Sequence, residues 1–135
     1  MKNNKSNNKS IVDIYSPTIY PVELHVIRNM SIEKIKSKYN IDYTIDEDHS
    51  WAYTISGIYL PDKPGKNISI VILTDGLTKC KDVLQKVNTA AHEATHFVLD
   101  VAEFIGLEQS QKSQESYSYL LGWATECIFS TLCKK

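Results

Sequence analysis

The apolar and polar positions of the chain change period midway, dividing it into a strand-rich first half and a helical second half. After a polar opening run, residues 11–27 read as extended structure. Val22, Leu24 and Val26 alternate with Glu23, His25 and Ile27, which predicts one mostly apolar face and puts His25 on the polar side, at the surface. Ser31 stands where its hydroxyl can cap a short helix over Ile32–Tyr39, with Glu33 in the first turn favoured by the helix dipole. Alternation returns over residues 51–60, with Trp51, Tyr53 and Ile55 on one side and Ala52, Thr54 and Ser56 on the other. Gly57 predicts a bulge in that strand. The segment from Pro61 to Lys66 is turn chemistry, and Ile68–Leu73 follows as a β-branched apolar run, so residues 51–73 predict a hairpin. Thr74, Asp75 and Gly76 end the sheet.

The remainder has a helical period. With Thr78 as its cap, a helix carries Val83, Val87, Ala91, Ala94, Val98 and Val101 as a buried stripe, and Gly106 falls in the loop that follows. A last helix from about Lys112 places Tyr117, Leu121, Ala124 and Ile128 toward the core. Strands first and helices last predict an α+β domain, with a small antiparallel or mixed sheet packed on two long C-terminal helices. No repeat or internal boundary is visible. Residues 11–135 read as one domain, preceded by a polar tail over 1–10 too hydrophilic to order itself.

Composition narrows the function classes. A chain of 135 residues suits one domain, and 42% hydrophobic with 23% charged residues is ordinary for a globular protein. A net charge of −1 argues against nucleic-acid binding, which rests on a basic surplus. No apolar run approaches the ~20 residues of a membrane span. Met1–Ser10 lacks the apolar core of a signal peptide, so a cytoplasmic protein is expected. Cys80, Cys127 and Cys133 form no CxxC pair, which predicts reduced, mostly buried thiols.

The informative segment is His92-Glu93-Ala94-Thr95-His96. On a helix, residues four apart lie about 40° apart around the axis and one turn along it. Two imidazoles so placed can converge on one Zn²⁺ at the ~2.0–2.1 Å of zinc–nitrogen bonding. Glu93 is turned about 100° from His92 by the same pitch, beside the metal, where a carboxylate can act as general base on a zinc-activated water.

A catalytic zinc takes three protein ligands. The HExxHxxGxxH pattern is excluded, because Leu99 and Ala102 stand where it needs glycine and histidine. Glu103, Glu108, Glu115 and Glu126 are the downstream carboxylates. Glu103 and Glu108 lie at the end of the motif helix or in the loop, from which reaching back is awkward. Glu115, in the first turns of the next helix, is the favoured third ligand, with Glu126 its competitor. Tyr119, one turn after Glu115, is a candidate catalytic donor to the oxyanion, set against a packing role between helices. Asn88 and Asp100 lie one turn outside the two histidines as candidate partners for the imidazoles, Asp100 reading rather as a solvated residue at the helix end. The acidic run Asp46-Glu47-Asp48-His49 lacks the spacing of a calcium loop and reads as solvated.

At the HExxH motif and at Gln114-Glu115-Ser116-Tyr117-Ser118-Tyr119-Leu120-Leu121-Gly122 the chain resembles zinc metallopeptidases of the HExxH-plus-Glu (gluzincin) type, and more closely small phage- and prophage-encoded zincin-like proteins. The likeness spans residues 83–126, about a third of the chain. It implies a zincin-like fold, His92, His96 and Glu115 as ligands, and Glu93 as base. A more distant likeness is to the repressor-regulating metallopeptidases of mobile elements. Their usual small-residue and Phe pattern after the third ligand is missing here, as is a DNA-binding module, so that substrate is not adopted. The expectation is a cytoplasmic zinc peptidase acting on a peptide or protein substrate, with an edge strand of the hairpin lying along the metal helix. The alternative is a zincin-like protein that binds zinc without turnover.

Overall fold

Asn67–Leu73 is buried at every position, because it pairs on both sides and is covered on both faces. The computed structural model describes residues 9–46 and 51–135. In chain order the elements are β1 (Ile11–Tyr15), β2 (Val22–Arg28), α1 (Ile32–Tyr39), β3 (Ala52–Ile58), β4 (Asn67–Leu73), α2 (Asp75–Lys79), α3 (Val83–Ile105) and α4 (Gln114–Leu132). The strands form one sheet in the order β1-β2-β4-β3. β1–β2 and β3–β4 are antiparallel, while β2 and β4 run parallel with Val22 opposite Asn67 and Arg28 opposite Leu73. The expected hairpin over residues 51–73 is present. Its bulge falls between Ile55 and Ile58, where Gly57 takes φ +70°, a conformation that favours a residue without Cβ.

The α+β class and the mixed sheet agree with the sequence reading, but the sheet is covered on both faces rather than one. Val22, Leu24, Val26, Val71 and Leu73 pack against α3 and α4, with Phe97 and Ile128 fully buried between the layers. On the other face Ile27, Ile68, Ile70 and Ile72 lie under Ile35 and Tyr39 of α1 and under Ile41 and Ile45, which follow it. This second layer overturns the placing of His25 at the surface. His25 is only 2% exposed, and its Nδ1 lies 2.7 Å from the Tyr39 hydroxyl.

Local chemistry sets the element ends. Ser31 caps α1 as expected, its hydroxyl accepting from Lys34 N at 3.3 Å. Thr74 ends β4 by capping the short α2. Thr78 does not open the long helix. Cys80 is extended, and Asp82 caps α3 by accepting from Leu84 N at 3.0 Å. Gly106 ends α3 in the left-handed conformation.

α3 and α4 run antiparallel. Phe97 rests against Trp123 with ring centroids 6.0 Å apart, and the Tyr117 hydroxyl donates to Leu107 O at the other end. Arg28 points Nη1 at the carbonyls of Thr131, Leu132 and Lys134, fastening the end of α4 to the sheet. The predicted stripe of α3 is buried at Ala94, Val98 and Val101 and half-buried at Ala91, but Val83 and Val87 are exposed, in turns that no apolar surface among the described residues covers.

Of the tail, residues 9 and 10 meet Asn29, where Ser10 Oγ donates to the Asn29 carbonyl and Asn29 Nδ2 to that of Lys9. The rest of the tail, and Glu47, Asp48 and His49 of the acidic run, lie outside the described residues. Cys127 is buried, with its thiol pKa pushed up to about 12 by burial, whereas Cys133 is exposed. The thiols are therefore less uniformly buried than expected. No helix among the described residues is long and apolar enough to cross a membrane.

Candidate metal centre

The helical spacing of His92 and His96 brings their rings together on the outer ridge of α3, with centroids 5.0 Å apart. His92 Nε2 and His96 Nε2 are separated by 3.3 Å. Two nitrogens each ~2.0–2.1 Å from one tetrahedral ion stand about 3.3–3.4 Å apart, so the pair has the spacing of shared ligands. Both histidines are exposed, the His92 side chain at 67%.

Glu93 is turned off that ridge toward β3 and is only 4% exposed. Its Oε2 accepts a hydrogen bond from Thr54 Oγ1 at 2.5 Å, and its Oε1 lies 4.0 Å from His92 Nε2. A buried carboxylate requires such a donor. Sequence reasoning did not single out Thr54. The signal was present in the strand alternation, which puts Ala52, Thr54 and Ser56 on the side facing α3.

Glu115 is exposed in the first turn of α4. Tyr117 and Ser118, next on that helix, line a hollow of about 210 Å³ with Thr95, Val98 and Leu99, whereas Phe97, next to His96, rests on Trp123 further along α4. Tyr119 is 64% exposed, and Glu103, Glu108 and Glu126 are exposed as well. Among the described residues, no third His, Cys, Asp or Glu joins the imidazoles in a group that could hold a metal ion. The two imidazole nitrogens have the spacing of zinc donors, while Glu93, turned off their ridge, and the downstream carboxylates do not complete a set among the described residues.

Asn88 is exposed and lines the surface beside His92 and Glu93. Asp100 departs from its reading as a solvated end residue. α3 runs on past it to Ile105, and Asp100 Oδ2 accepts from Ser69 Oγ at 3.0 Å and Asn67 Nδ2 at 3.3 Å. Burial holds its carboxyl pKa above the ordinary 3.8.

No family model matches this chain, and no curated protein or solved structure matches it.

Proposed function

We propose that this protein is a zinc-dependent hydrolase acting on peptide bonds, built as a zincin-type domain. The observation that carries this reading is the 3.3 Å convergence of His92 Nε2 and His96 Nε2 beside the buried Glu93 carboxylate. In it His92 and His96 hold the ion and Glu115 completes the set, as the resemblance of its segment implies; Glu126 is the competing donor. Zinc, when bound, polarises a peptide carbonyl and acidifies water.

The protein's own groups do the proton work. Glu93 Oε2 is engaged by Thr54, which leaves Oε1, on the His92 side, to take a proton from the attacking water. The carbonyl carbon gains the water oxygen, and the C–N bond breaks as that proton passes to the leaving amine. Tyr119 is the hydroxyl available to the oxyanion. β3 is an edge strand packed along α3, so an extended peptide can add to its outer side. The setting that goes with this reading is the cytoplasm of a cell carrying a phage or prophage.

Metal analysis of protein purified without added zinc tests the site. About one ion per chain is expected, lost in His92→Ala and Glu115→Ala and kept in Glu93→Gln. Retention in Glu115→Ala with loss in Glu126→Ala would reassign the third ligand. A second reading, a zinc-binding protein without turnover, is favoured by the open exposure of the pair. Peptide-library cleavage separates the two. A signal lost in Glu93→Gln supports the hydrolase, and equal signals from both proteins remove it.

A further inference from the structure

Beside Glu93 the surface opens into a hollow of about 310 Å³. One wall is a single stripe of α3, where Gln85, Asn88, Thr89 and His92 recur at three- and four-residue spacing and lead onto the imidazole pair. The facing wall is Trp51 with Ala52 at the start of β3. Trp51 is 38% exposed, yet it is not loosely held: its carbonyl accepts from both Thr74 N at 3.0 Å and Thr74 Oγ1 at 2.8 Å. An exposed indole on a main chain held in this way is a ready stacking surface.

The chemistry of the walls is uneven. Trp51 and Ala52 offer a flat apolar plate, while Asn88 and Gln85 offer amides, the latter oriented by Gln85 Nε2 donating to Thr89 Oγ1 at 3.0 Å. Among the described lining residues the carboxylate is Glu93, at the inner end. That charge disfavours an acidic occupant. The volume accommodates one ring, and small-ligand sites are of this amphipathic kind.

We propose that this hollow is a subsite for an aromatic side chain of a peptide ligand, its ring stacked on Trp51 and its polar edge toward Asn88 and Gln85. Its use as a substrate subsite rests on the hydrolase reading; the preference for a ring does not.

The test is a titration of the full chain with neutral capped amino acids, followed through the Trp51 indole N–H resonance. N-acetyltyrosinamide is expected to shift it at about fivefold lower concentration than N-acetyl-leucinamide, the advantage of ring stacking. N-acetylglutamate is expected to leave it unmoved. Trp51→Leu, which keeps the main-chain bonds to Thr74 and is followed instead through the backbone amides of Asn88 and Thr89, should abolish the preference, and Asn88→Ala should weaken the tyrosine amide more than the phenylalanine amide. Equal responses to tyrosine and leucine amides, or a response confined to Trp123, would overturn the proposal. In the peptide library an aromatic residue should be enriched at one position next to the cut. Cleavage without that enrichment sinks the subsite and leaves the hydrolase. Ring binding at Trp51 with no peptide cleaved sinks the hydrolase and leaves the ring site.

Discussion

Thr54 Oγ1 donates to Glu93 Oε2 across 2.5 Å, so one hydrogen bond ties the edge strand to the helix that carries the imidazole pair. Thr54→Val keeps the shape of the side chain and removes the donor. A hydrogen bond to a charged group contributes about 1.5–3 kcal/mol, and a loss of that size is expected in urea unfolding. Thr54→Ser should recover most of it. Any peptide cleavage should fall in the valine variant while zinc content holds, because the hydroxyl orients the carboxylate without touching either ring.

What was legible in the sequence is what neighbouring residues decide among themselves. Ser31 caps α1, Gly57 marks the bulge, and the His92–His96 pair follows from helical pitch alone. Relations between distant segments were not written locally. Nothing in residues 22–28 announces that β2 pairs in parallel with β4, or that Tyr39 of α1 will lie against His25. The apolar stripe of α3 likewise cannot say how far along the helix it is covered, and Val83 and Val87 stand in solvent. Thr78 and Asp82 are both good caps, and only the extended backbone at Cys80 decides for Asp82. The third ligand is a question of the same distant kind, since it depends on how the start of α4 sits beside α3.

The buried pair His25 and Tyr39 makes stability depend on pH. Glu23 accepts only, so His25 Nε2 carries the proton toward it at 3.4 Å, and Nδ1 accepts from the Tyr39 hydroxyl at 2.7 Å. Burial pulls the His25 pKa below the ordinary 6.5, although Glu23 opposes the shift; Lys63 and Lys38 are the cations that add to it. The unfolded chain therefore binds the extra proton first, and stability should fall as pH drops below about 6.5 toward the lower folded pKa. Burial alone would raise the Glu23 carboxyl, but Lys63, 2.6 Å away, and His25 hold it below 4.5, so a second loss follows at more acid pH. Urea midpoints from pH 7.5 to 5 check the first step, which should flatten in His25→Gln. Tyr39→Phe leaves Nδ1 unpaired and should cost about 1–3 kcal/mol at pH 7.5.

Asp100 predicts the opposite sign. Its pKa is raised, so the folded state disfavours the charged form at neutral pH. Asn67 Oδ1, on the amide that already donates to Asp100, is buried without a hydrogen-bond partner among the described residues. Asp100→Asn removes the charge and brings an N–H₂ group to that neighbourhood. The variant should melt higher than the parent at pH 7. Its advantage should shrink as pH falls through the raised folded pKa and be gone below 3.8, where the parent carboxyl is protonated in both states. An unchanged difference at pH 3 would place the gain in packing instead.

Phe97 follows His96 directly, is fully buried, and spaces α3 from α4 through its contact with Trp123. Phe97→Ala should cost about 3–5 kcal/mol, a large part of the ~5–15 kcal/mol that holds a domain together. Phe97→Leu leaves a smaller gap and should stay folded at room temperature. The leucine variant is the informative one for the metal. Its imidazole pair lies within one helix and keeps its spacing, while α4 is free to settle against the smaller side chain. A third donor supplied by α4 then sits off its position, and zinc should bind more weakly than to the parent, at unchanged helix content by circular dichroism. Equal zinc affinity in competition with a chelator would mean that α4 contributes nothing to the metal, and Glu115 would have to be given up as its ligand.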